Sequence, residues 1–215
     1  MGTMTGPARR VGRPPGPRRD PVERKDELLD ACVRAIRALG PDLSMADLAA
    51  EAGVTRPILY DHFGDRAGIA AALARRYADN LGSALSPVME REEPFAEILR
   101  DGILVFCAFV DKEPALWRFL QSASAPSSDD SIEFKVGHML SDALEGALDR
   151  AGADSSVAPV WAAAIIGAVF LAAESWSTKR EIPRRTLVDQ LTALLVGGLR
   201  ATGADEVAGP FSADR

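Results

Sequence analysis

The residues from Ser44 to Phe63, SMADLAAEAGVTRPILYDHF, carry two helical patterns that are each too short to stand alone and are broken apart by one glycine. Ser44 and Asp47 stand at the S-x-x-D spacing of a capping box, which starts the first helix. Met45, Leu48, Ala49 and Ala52 give that helix an inner face, and Gly53 ends it. Thr55 is a good N-cap for a second helix reaching His62 or Phe63. Pro57 falls in its first turn, where a missing N–H costs little. Two short helices that cross steeply need a turn residue without a Cβ and small side chains where they approach. Gly53, Ala49 and Ala52 meet both needs. Val54, Leu59 and Phe63 can anchor the pair to a preceding helix. That is the physical grammar of a helix-turn-helix, in which the start of the second helix is free to enter a DNA major groove.

Helical periodicity continues along the chain, with no alternating strand pattern and no internal repeat. A first helix is expected from Pro21 to Leu39, with Leu29, Cys32, Val33, Ile36 and Leu39 on one stripe and Gly40-Pro41 as its end. Asp65 caps a fourth helix whose Ile69, Leu73, Tyr77 and Ala84 share a face. Further helices are read at about Glu93–Asp111, Pro114–Ser122, Ile132 to just before Gly152, Val157–Ser177 and Pro183–Ala201, with a Ser/Pro/Asp loop from Ser124 to Asp130. The expected fold is all-α with about nine helices: an N-terminal three-helix helix-turn-helix domain and a C-terminal helical domain, for which the family resemblance given below implies ligand binding and dimerisation. Residues 1–19, dense in Pro, Gly and Arg, form a disordered basic arm. The divisions expected after it are 20–66, 67–204 and a flexible tail at 205–215.

Charge decides where a polyanion could sit. The chain carries a net charge of −6, but residues 1–85 hold 13 Lys and Arg against 11 Asp and Glu, and residues 86–215 hold 12 against 20. Only the N-terminal part suits nucleic acid. The first 25 residues lack an apolar run, so no secretory signal is expected. The most apolar stretch, Val157–Ala173, contains Pro159 and is shorter than the ~20 residues of a membrane span. A soluble, cytoplasmic protein with no membrane partner is expected. The two cysteines, Cys32 and Cys107, fall on apolar helical faces and read as buried free thiols, which suits a reducing compartment. No nucleophile elbow, P-loop, dinucleotide fingerprint or zinc spacing is present, and there are two histidines. No enzyme, no cofactor and no metal site are expected.

From Leu28 through Leu73 the chain resembles the DNA-binding domain of the TetR family, most specifically in AAEAGVTRPILYDHFGDRAGIAAAL. There the alanine-glycine-valine turn, the threonine, the leucine-tyrosine pair, the histidine before phenylalanine and the capped start of the next helix all follow the family's pattern. Arg66 departs from it, standing where many members carry lysine. The resemblance implies that Thr55, Arg56 and Pro57 sit at the groove-facing start of the recognition helix, with Tyr60 and His62 further along. Arg56 would bridge guanine O6 and N7 or hold a phosphate, and Tyr60 would reach a phosphate oxygen. Ser44 and Arg66, at the starts of their helices, would grip the backbone. His62 reads equally as a phosphate contact or a structural filler. Ile58 either touches a thymine methyl or turns inward. In the arm, Gly12-Arg13-Pro14 resembles the core of an AT-hook, which would lay Arg13 in a minor groove; the other reading is a solvated basic tail.

The run VAPVWAAAIIGAVFLAAESWS is apolar nearly all round and must be covered on all sides. With the helix after it, it resembles the pair that forms the intersubunit four-helix bundle of TetR proteins, implying a homodimer on an inverted-repeat operator. Aromatic residues concentrate in this half and suggest an apolar pocket between helices. Phe106, Phe109, Trp117 and Phe170 are the best wall candidates, and Phe134 and His138, opposite their helix's main stripe, are further ones. The reading is a ligand-responsive transcription regulator, a repressor released from double-stranded DNA by a small, largely apolar effector. The alternative is a helical protein-interaction adaptor with a vestigial helix-turn-helix.

Overall fold

The computed structural model describes residues 21–91, 93–123 and 131–201, and among them it holds nine α-helices, one turn of 3-10 helix and no strand. Arg13 and the rest of the basic arm, the loop read at 124–130 and the C-terminal tail lie outside the described residues. The helices are α1 (Pro21–Leu39), α2 (Met45–Glu51), α3 (Arg56–Phe63), α4 (Arg66–Met89), α5 (Phe95–Lys112), α6 (Pro114–Ala123), α7 (Ile132–Arg150), α8 (Ala158–Lys179) and α9 (Arg184–Ala201). The 3-10 turn, Ser155–Val157, leads into α8.

The helix ends follow from local chemistry. Gly40 ends α1 with φ +92°, and Gly53 makes the turn after α2 with φ +62°, both in the left-handed region where a Cβ is strained. Asp65 caps α4 by accepting from the Gly68 N–H at 2.8 Å. Leu28, Cys32, Ile36, Leu48, Leu59, Ile69 and Leu73 are all buried, so α1 to α4 share one core at the N-terminal end. Two stripe assignments fail at their last member: Leu39 is 64% exposed and Ala84 is also exposed. The apolar face of α4 continues instead through Leu81, Leu85 and Val88.

Helices α5 and α7 pack on α4, α8 packs on α7 and α5, and α9 lies against α5. Cys32 and Cys107 are free thiols with no exposed surface, and burial pushes both up to about 11. Helix α8 corrects the length argument made from its sequence. It runs for 22 residues, and the region from Ser155 to Lys179 has a mean hydropathy of 2.1 over its most apolar window. By length and composition alone it could cross a membrane. Only one of its faces is packed inside this chain, through Ala162, Ile165, Val169, Phe170 and Ala173. The other exposes Val160 at 70% and Leu171 at 69%.

One close approach joins the helix-turn-helix to the rest. A Cβ placed on Gly68, in the first turn of α4, would lie 1.7 Å from the carbonyl oxygen of Phe63 at the end of α3. Any side chain at 68 must therefore push α3 away from α4. Gly68→Ala should lower unfolding stability by about 3 kcal/mol, the upper range for overpacking, and weaken duplex binding by displacing α3. Denaturant unfolding beside a gel shift checks both effects, and a variant with native stability would show that the contact is not tight.

Candidate DNA-binding surface and internal cavity

The α2–α3 unit is built so that one side is pinned and the other bare. Leu48 and Leu59 are fully buried and Phe63 is 9% exposed, which fixes the inner side of both helices. Thr55, Arg56, Pro57 and Tyr60 are exposed at the start and outer face of α3, with Tyr60 at 48%. Ile58 is partly buried and packs against the core, so of its two readings the inward one holds. His62 is half-buried, its ring 6.1 Å from that of Phe63.

The two N-caps differ. Ser44 forms the full capping box: its oxygen accepts from the N–H groups of Ala46 at 3.2 Å and Asp47 at 3.4 Å. The Asp47 carboxylate in turn accepts from the Ser44 hydroxyl at 2.7 Å and its N–H at 2.8 Å. Those bonds, the hydroxyl's first, hold the Asp47 carboxyl below its ordinary range. Its part in the cap is therefore complete above the ordinary carboxylate range and is lost as acid titrates it. The Ser44 hydroxyl proton is already given to Asp47, so a phosphate would have to compete for it. Thr55 occupies the N-cap position of α3 with extended backbone, yet its side chain makes no cap hydrogen bond. The expectation of a hydroxyl cap at Thr55 is thus corrected.

Arg66 is engaged elsewhere than its sequence position suggests. Its guanidinium donates to the Pro41 carbonyl at 2.7 Å and the Ser122 hydroxyl at 3.0 Å, and lies 4.5 Å from the centre of the Phe119 ring. It joins the α1–α2 turn, the start of α4 and the end of α6. At the other end of α6, Glu113 accepts two hydrogen bonds from Arg37 of α1, at 2.9 and 2.5 Å. Sequence reading missed this seam because its partners are remote: Ser122 lies 56 positions from Arg66, and Glu113 lies 76 from Arg37. Gly68 was legible in principle, as an unexplained glycine early in a helical pattern.

In the other half a cavity of about 30 Å³ lies between α4, α5, α7 and α8. Leu85, Met89, Ile103, Val136, Leu140 and Ile165 are among its walls. Of the six wall candidates, Phe106 and Phe170 line it. Phe109 and Trp117 do not; they pack behind it, with Trp117 5.4 Å from Phe106 and 5.5 Å from Phe170. Phe134 and His138 lie outside the cavity. Both are exposed, Phe134 at 42%, and they touch each other at 4.4 Å. The reason is helical phase: Val136 and Leu140 face inward, so 134 and 138 face away.

Comparison with known proteins gives a consistent result. Residues 28–73 match the family described as bacterial regulatory proteins, tetR family, and residues 80–211 match the tetracyclin repressor-like C-terminal domain. An HTH-type transcriptional regulator of Mycobacterium tuberculosis is 34% identical over 197 residues, covering 86% of this chain and 82% of the relative. The HTH-type transcriptional activator FasR of Mycolicibacterium smegmatis is 24% identical, covering 82% of this chain and 83% of its own. The crystal structure of Bacillus subtilis FadR in complex with stearoyl-CoA superposes with a TM-score of 0.67 at 16% identity, covering 80% of this chain and 98% of that one. That likeness shows the fold.

The positions of Arg56 and Arg66 separate two roles. Arg66→Ala should cost about 1.5 kcal/mol of stability through lost charged hydrogen bonds and leave the slope of log K against log salt unchanged. Arg56→Ala should either reduce that slope by about 1 or relax base preference at one position. Filter binding over a salt series reads both, and a slope reduced in the Arg66 variant would return that residue to a phosphate.

Proposed function

This chain belongs to the TetR family of bacterial regulatory proteins and is a DNA-binding transcription regulator, and we propose that it acts in the cytoplasm as a dimeric repressor released from its operator by a small, largely apolar effector. The observation that carries the reading is the pinned and bare geometry of α3. A helix held by Leu59 and Phe63 offers Thr55, Arg56, Pro57 and Tyr60 outward. The start of a helix rich in donors is what enters a major groove. Ser44 and His62 flank this surface, and the basic arm with Arg13 would supply further positive charge to the duplex.

Dimerisation is supported by the outer faces of α8 and α9. Val160, Ala163, Ala164, Gly167 and Leu171 make an exposed stripe on α8; Ala193, Leu194, Gly197 and Gly198 make one on α9. Leu194 is 69% exposed, and a Cβ on Gly167, Gly197 or Gly198 would meet nothing within 4 Å. Large apolar side chains beside small residues suit a close helix–helix contact with a second copy. A two-fold dimer would set two copies of α3 at successive major grooves, about 34 Å apart, on an inverted repeat. The division placed after residue 66 falls at the first residue of α4, so that helix is itself the joint.

Effector release is supported by the apolar cavity at the far end of α4. The FadR structure, in complex with stearoyl-CoA, supports an effector with a long apolar chain in this fold. Repression needs only occupancy of a promoter; the relative FasR is named an activator, so the sense of regulation is read by transcription assay. Coupling of ~1–3 kcal/mol between cavity and DNA surface would change operator affinity about 5- to 150-fold.

Leu171→Glu combined with Leu194→Glu should give a folded monomer by sedimentation and lower affinity for the duplex upstream of its own gene by at least about tenfold, since a single half-site contact remains. A double variant that stays dimeric, or that binds as a monomer with native affinity, contradicts the proposal. Deleting residues 1–19 should flatten log K against log salt by about 3–4 units through lost phosphate contacts, and an unchanged slope would remove the arm from the interface.

A further inference from the structure

Trp117, in the middle of α6, is 1% exposed, and its indole Nε1–H is buried without a hydrogen-bond partner. Natural cores hold few such groups, because an unpaired buried donor keeps its desolvation cost with nothing in return. The neighbours of the indole do not satisfy it. Phe106 and Phe109 meet it edge-on at 5.4 and 6.3 Å, and Phe170 lies at 5.5 Å, all of them hydrocarbon rings. Trp176 makes the contrast, since its Nε1–H donates to the Ile182 carbonyl at 2.8 Å.

Two of those three rings are shared with the cavity. Phe106 and Phe170 stack on each other at 4.4 Å, both line the cavity, and both touch the indole. The cavity, at about 30 Å³, has room for little more than one water molecule. Small-molecule sites typically need roughly 300–1,000 Å³. An effector can therefore enter only if walls part, and the stacked rings are where parting would reach a polar group.

We infer that the effector is an apolar molecule bearing one hydrogen-bond acceptor, a carbonyl or ester oxygen, and that the Trp117 Nε1–H donates to it when Phe106 and Phe170 separate. This rests on the reading of the cavity as the effector site. A pure hydrocarbon could fill the same space but would leave the indole unpaired, so the anchor discriminates by acceptor rather than by shape. Its place also matters for release. Trp117 lies on α6 between Glu113, which is bonded to Arg37, and Ser122, which is bonded to Arg66. An effector that moves the indole moves the helix bonded at both ends to the helix-turn-helix.

The full-length protein labelled with 15N-tryptophan has three indole signals, and Trp161→Phe and Trp176→Phe assign that of Trp117 by elimination. Titration uses 2-decanone and decane, which match in chain length and differ in the acceptor. The ketone should bind and shift the Trp117 indole proton downfield, while decane should bind without that hydrogen-bond shift. In Trp117→Phe, affinity for 2-decanone should fall about 3- to 10-fold, the weight of one net hydrogen bond, with decane unchanged. Ketone bound with the Trp117 signal unmoved, or equal losses for both probes in the variant, overturns the anchor and leaves the effector site standing. Binding of neither probe to the native protein overturns the effector site and the anchor with it. Should Trp117→Phe fail to fold, the shift in the native chain decides the question.

Discussion

The carbonyl of Phe63 occupies space that only a glycine at position 68 leaves open, and this contact ties α3 to α4, the longest of the described α-helices. Asp65 sets the register by capping α4 on the Gly68 N–H, and Arg66 beside it reaches back to Pro41 and across to Ser122. Three constraints thus fall within residues 65–68, and the one at Gly68 holds the end of α3 close against the first turn of α4. The far end of that helix, at Leu85 and Met89, forms part of the cavity wall.

Helix α6 supplies the second connection between the same two places. Its Leu116, Trp117, Phe119 and Leu120 are buried, while its ends are held to α1 and α4 by charged hydrogen bonds. Polar contacts at a seam have a different consequence from apolar burial. They are directional, so they have a small set of satisfied arrangements and lose most of their value between them. A seam of this kind suits a two-state response better than a continuous deformation. Under the proposed effector release, a cavity event must reach the outer face of α3; α4 lines the cavity and adjoins α3, and α6 packs behind the cavity walls through Trp117.

Much of this was legible in the amino-acid order because it is local. Gly40, Gly53 and Asp65 mark helix ends through their own backbone or side-chain preferences, and the Ser44–Asp47 box closes within four residues. Helical phase likewise placed Leu59 and Phe63 inward. What escaped depends on partners far along the chain. Arg66 reads as an exposed cation until Ser122 and Phe119 are brought beside it, and Trp117 reads as a cavity wall until Phe106 and Phe170 come between. Phe134 and His138 show the limit of composition: aromatic residues gather in this half, but the stripe through Val136 and Leu140 turns those two outward. The bounds of α8, read at Val157–Ser177, come within two residues of the observed Ala158–Lys179 because apolar periodicity runs through nearly all of it.

In the proposed dimer, the outer faces of α8 and α9 fix the separation of the two copies of α3. Asp61 is exposed on α3, and the native thiols are buried and raised to about 11, so a spin label on Asp61→Cys reports on α3 alone. Dipolar spectroscopy of that variant on a duplex from its own upstream region should give one narrow distance distribution within a few ångströms of about 34 Å, one turn of the double helix. Absence of dipolar coupling on the duplex, or a broad spread of distances, would mean that no fixed pair exists.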